Sequence, residues 1–230
     1  MKRFDLSQVH SNYHDSFVTE VAQIFAPSLP LIPALCGPDQ TRAFFHLAVE
    51  ASKAAGFELR GEIVTYTFLA LHLGLFFETD PLYHDIRADM LWKHAGAHPN
   101  VGLNRMFRST DLMIAEGLCA AKDGVAPGFG AACHQAGDLG DRAPLSAAFE
   151  LCATANHRRF QALGASRVHA ALSLAQQDPR LSGHHATFIR DWLICTHYLG
   201  HGFERNPLFS WVPEALMRGD LPKIGSRLDG

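Results

Sequence analysis

At 230 residues the chain can form one large domain or two small ones, and its 47% hydrophobic content suffices for a buried core. Twenty Lys and Arg against 23 Asp and Glu give a formal net charge of -3. No basic stripe is present that could neutralise a run of phosphates, which argues against nucleic acid as a partner.

The first expected helix carries Phe17, Val21, Ile24 and Phe25 on one face. A connector with Pro27, Pro30 and Pro33 follows. After Gly37-Pro38, Asp39 or Thr41 can cap a second helix whose stripe is Phe44, Leu47, Ala48 and Ala51, ending near Gly56. The third, Glu58 to Phe77, is apolar on most of its circumference and is expected to be central, stopped by Asp80-Pro81. Further helices are expected at about Leu82–His94 and Asn104–Lys122. The stretch Asp123–Ala143, with five glycines and Pro127, reads as a loop. It separates an N-terminal half (1–122) from a C-terminal half (144–230), although the two can equally form a single domain. Beyond it the spacing predicts helices at Pro144–Leu163, Ser166–Gln177, His184–Gly202 and Val212–Arg218. The fold class is therefore all-α, a helical bundle, with His184–Gly202 the second deeply buried helix.

An internal echo joins the two halves. Residues 73–82 and 199–208 agree at six of ten positions, where ordinary residue frequencies give roughly 0.6. Flanking pairs keep their character at the same offset: Ile63 with Ile189, Tyr66 with Trp192, Phe68 with Ile194 and Leu91 with Met217. Each copy is an apolar helix stopped by Phe-Glu-x-(Asp/Asn)-Pro: Phe77, Glu78, Asp80 and Pro81, then Phe203, Glu204, Asn206 and Pro207. This pattern predicts an internal duplication around 63–91 and 189–217. The alternative is that two helices met the same stop problem with the same residues.

Motifs that carry chemistry are sparse. There is no GxSxG, no Walker lysine and no HExxH. Gly128-Phe129-Gly130 lacks the strand and third glycine of a dinucleotide fingerprint. Cys133-His134 are adjacent, which does not by itself make a dyad. Fourteen histidines raise the question of metal. His197 and His201 are four residues apart with Glu204 beyond, a spacing that would suit zinc or iron if the helix continued. His10/His14 and His94/His98 share the spacing, and His72 is expected as a hydrogen-bonded core histidine. Cys36, Cys119, Cys133, Cys152 and Cys195 form no CxxC pair and are odd in number, reading as free thiols of a reducing compartment. The N-terminus lacks the apolar region of a signal peptide, and the longest apolar run, Phe68 to Phe77, falls short of the ~20 residues a membrane span needs. A cytoplasmic chain with no membrane association and no cofactor is expected.

The segment from Phe17 to Met90 resembles a family of small helical proteins encoded beside VgrG spike and effector genes of bacterial type VI secretion systems. The features are an opening helix ending Ile24-Phe25-Ala26-Pro27, a helix ending Ala54-Ala55-Gly56, Tyr66, Leu69 and Leu73 in a third, and Gly74-Leu75-Phe76-Phe77-Glu78-Thr79-Asp80-Pro81. The family often has a tryptophan shortly after the proline; here Tyr83 and His84 stand, while the second copy has Trp211. The resemblance implies a bacterial accessory protein with a protein partner, an adaptor, chaperone or cognate partner of a secreted effector, and carries over no catalytic residue. The competing readings are a helical metal- or haem-dependent enzyme using the clustered histidines, and a helical domain sensing a small apolar ligand.

Overall fold

Proline and glycine set most of the helix boundaries. Pro38 and Pro144 occupy first helical turns, where a missing N–H costs nothing. The computed structural model describes residues 6–29, 32–83, 99–118, 125–140 and 142–229, and no strand forms among them. The helices are α1 (Leu6–Phe25), α2 (Ile32–Cys36), α3 (Pro38–Ala54), α4 (Arg60–Leu73), α5 (Pro99–Ala115), α6 (Phe129–Ala136), α7 (Pro144–Ala155), α8 (His157–Leu163), α9 (Ala165–Gln176), α10 (Ala186–Leu199), α11 (Val212–Met217) and α12 (Leu221–Asp229). The fold is all-α, and a single apolar core cluster draws on residues from both halves of the chain.

The two helices expected to be central are so. Eleven of the fourteen residues of α10 and eight of the fourteen of α4 are buried. α10 packs against α6, α7, α9 and α11, and α4 packs against α3 and α5. Both helices end earlier than the proline argument placed them. Gly74 (φ 99) and Gly200 (φ 95) stop them, and Phe77 and Phe203 lie in short 3-10 turns that follow. A glycine free to adopt positive φ ends a helix before a downstream proline needs to.

Other expectations need correction. The buried face of α1 is Phe17, Val18, Val21 and Phe25, whereas Ile24 is 49% exposed, at the edge of the arc. On α3, Leu47 is exposed, and Phe45, Val49 and Ser52 join Phe44 and Ala48 inside. The expected helix Pro144–Leu163 is broken at Asn156 (φ -144, ψ 76), whose side-chain oxygen accepts from the Arg159 N–H and so caps α8. The expected helix Leu82–His94 is described only at its start, where Pro81–Tyr83 is a 3-10 turn; the remainder, Leu91 and the His94/His98 pair lie outside the described residues.

The stretch expected as a loop between halves contains α6. Phe129, Ala132 and Cys133 are fully buried there, against α7, α10 and α12. Its glycines permit close approach of helices. A Cβ added at Gly225 of α12 would stand 2.7 Å from the Cys133 Cβ and 3.1 Å from the Gly130 Cα. Gly225→Ala is therefore expected to lower the unfolding free energy by ~1–3 kcal/mol through overpacking, read by urea titration. A change near zero would mean that α12 lies further from α6 than the structure has it.

Candidate functional site

The two Phe-Glu-x-(Asp/Asn)-Pro turns come together where Gly74 and Gly200, the glycines that precede them, lie against each other. A Cβ on Gly74 would lie 3.3 Å from the Leu199 carbonyl oxygen, and one on Gly200 would lie 3.1 Å from that of Leu73. The backbones run alike at the ends of the turns: Asp80 has φ -74 and ψ 121, Asn206 φ -79 and ψ 119. They differ in the middle, where Phe76 (φ -107) faces Gly202 (φ 79). The Phe76 ring occupies the space that a side chain at Gly202 would need, since a Cβ there would be 2.8 Å from the ring. The Arg205 guanidinium covers the same ring at 4.2 Å from its centroid.

Within each turn the matched residues play matched parts. The Asp80 and Asn206 side-chain oxygens accept from the N–H two residues on, Leu82 at 2.9 Å and Leu208 at 3.1 Å. Phe77 and Phe203, both 1% exposed, lie against Tyr66 and Trp192 with ring centroids 5.1 and 4.9 Å apart. Tyr66 hydrogen-bonds with Glu78, and burial together with that carboxylate pushes the phenol well above its usual range, so it donates. Glu204 is not solvated: its side chain is 8% exposed and pairs with Arg180 at 2.7 Å. Asp80 also reaches across, accepting from the His201 N–H at 2.8 Å. Burial raises its carboxyl above the usual value, opposed by these two backbone bonds.

The histidines do not assemble as the spacing allowed. Gly200 ends α10 between His197 and His201, and the Glu204 carboxylate is held by Arg180. Among the described residues, no group of three or more His, Cys, Asp or Glu is placed to hold a metal ion. His197 is 1% exposed, and among the described residues neither ring nitrogen has a hydrogen-bond partner. Burial, with Arg159 nearby, drives its pKa well below the usual value, so the ring is neutral. Cys133 is fully buried and His134 exposed, so they form no dyad; His72 is half-buried, its ring 4.4 Å from that of Phe68.

A groove that no sequence motif marked lies elsewhere. One part of it, about 240 Å³, lies between α1, α2 and α3, with Ala22, Ile32, Phe44 and Phe45 among its walls. Leu71 of α4 and Leu208 of the second turn also contribute. Two further depressions continue it. One of about 300 Å³ shares Thr19, Ala22, Pro33 and Thr41; one of about 530 Å³ shares Thr19 and Gln23 and adds Asp15, Glu20 and Arg42. The result is an apolar channel with a charged end. The only sequence signal was small residues, Thr19 and Ala22, one turn apart beside a bulky stripe. Among the described residues no helix is long and apolar enough to cross a membrane. Comparison with known protein families, with characterised proteins and with solved structures finds no match.

Proposed function

We propose that this chain is a protein-binding accessory of a bacterial type VI secretion locus, an adaptor, chaperone or cognate partner of an effector, and that the groove over α1–α3 receives an apolar segment of that partner. The observation that carries the reading is the continuity of the three depressions through Thr19. A small molecule is usually enclosed in one cavity with a few converging polar groups. A channel open along two helices, apolar within and charged at one end, suits the side chains of a peptide or helix laid along it. Most of the groove's walls, with Leu208 and Asp15 among the exceptions, also lie in the segment, Phe17 to Met90, that carries the family resemblance.

Thr19 is exposed and, among the described residues, its hydroxyl bonds only to the Asp15 carbonyl, so a large residue there blocks the groove while sparing the core. The tagged chain, co-expressed with the spike and effector products encoded beside it, is expected to retain one of them. Thr19→Trp should weaken that retention by about tenfold or more, as loss of a hot-spot pocket does. Failure to retain any neighbouring product would overturn the accessory role. Retention unchanged by Thr19→Trp would overturn the groove.

We also read the two halves as copies of one helical unit. Support comes from α4 and α10, each fourteen residues long at an offset of 126, and from reciprocal packing. α3 packs against the turn Pro207–Phe209, and α9, its counterpart by position, packs against Pro81–Tyr83.

A further inference from the structure

A second cavity, of about 240 Å³, opens where the end of α6, the first turns of α10 and the start of α12 converge. Its walls include Cys133, Ala136, Leu221 and Pro222, all small or apolar, and one ion pair, Arg190 with Asp191. Residues adjacent on a helix do not ordinarily face one another. Here Arg190 Nε and one terminal nitrogen both donate to the same oxygen, Asp191 Oδ1, at 2.8 and 2.7 Å. The two side chains are each 6% exposed. Among the described residues, Asp191 Oδ2 and the other terminal nitrogen of Arg190 carry no hydrogen bond. Removing two charges from water is offset only when their remaining donors and acceptors are met. This pair leaves three guanidinium N–H donors and one carboxylate oxygen without a protein partner among the described residues, in the wall of a cavity large enough to be filled.

We propose that the cavity binds a small apolar α-amino acid. Its carboxylate would take the free guanidinium N–H groups of Arg190, and its ammonium the free oxygen of Asp191. The ligand carries an anionic and a cationic group on one α-carbon, and the ion pair offers an open partner for each. A short aliphatic side chain suits Ala136, Leu221 and Pro222. The rim is bare: side chains added at Gly137, Gly140 or Gly219 would meet nothing within 4 Å. This site shares no residue with the groove over α1–α3 and stands or falls independently of it.

Calorimetric titration of the full chain with L-valine tests the proposal. One saturable site is expected, with L-valinamide, which lacks the carboxylate, and N-acetyl-L-valine, which lacks the ammonium, each binding about tenfold or more weakly because a buried partner is left unmet. Gly137 is exposed with helical backbone (φ -59), so Gly137→Leu narrows the mouth without strain and should weaken valine by a similar factor while leaving the melting temperature unchanged. No heat with valine or alanine at millimolar concentration overturns the proposal. So does amide or acetyl analogue binding as tight as valine, and so does valine affinity unaffected by Gly137→Leu.

Discussion

Phe203→Ala is expected to lower the unfolding free energy by ~3–5 kcal/mol, and Phe77→Ala by a similar amount, when each is measured by guanidinium titration. Both rings are 1% exposed, both are held by an aromatic partner eleven residues back in the preceding helix, and both lie beside a turn whose backbone is capped by Asp80 or Asn206. Neither site can collapse, because the glycine crossing at Gly74 and Gly200 already brings the backbones into contact. Equal losses at the two positions would support the two turns being equivalent parts. A cost at either phenylalanine below ~1 kcal/mol would mean that its turn is not part of the core.

His197→Leu should do the opposite and stabilise the protein by ~1–3 kcal/mol near neutral pH, the usual cost of a buried polar group without partners. The matched position at the same offset is Leu71, itself buried, so the fold accepts leucine at that point of the helix. The histidine pKa is depressed well below 6.5 in the folded state by burial and then by Arg159. Its contribution to stability is thus present above pH ~6.5 and lost as the pH falls, because only the unfolded chain binds the proton. The advantage of His197→Leu should accordingly widen on going from about pH 7.5 to about pH 5.5. Paired denaturant titrations at the two values read this directly. A loss of stability on substitution would show that the ring is hydrogen-bonded in solution through an ordered water.

The sequence carried the all-helical fold and its two central helices, because an apolar circumference of fourteen residues in α10 has few other uses. It carried the capping role of Asp80 and Asn206 for the same kind of reason, since Asx before a turn serves its own backbone. It failed where a residue's meaning depended on what faced it. Gly130 read as part of a loop, yet with Gly225 it lets two helices touch, and only the fold reveals that α12 lies on α6. His201 and Glu204 had helical spacing to His197, but Gly200 took the chain out of the helix. The groove was illegible because Thr19, Pro33 and Leu208 belong to three distant stretches, none conspicuous alone.

Asp80 takes its bond from an N–H 121 residues later, and the groove that begins at Thr19 is completed by Leu208. At ~5–20 residues per second of synthesis, the first half waits on the order of ten seconds for the second to emerge. Throughout that interval Gly74 and the part of α3 that meets Pro207–Phe209 lack their partners from the second half. Contacts of such long sequence separation also slow folding once the chain is free. The nascent protein therefore passes through a stage in which its own central seam is open and adhesive, and its yield in a cell should depend on chaperone supply more than its final stability would suggest.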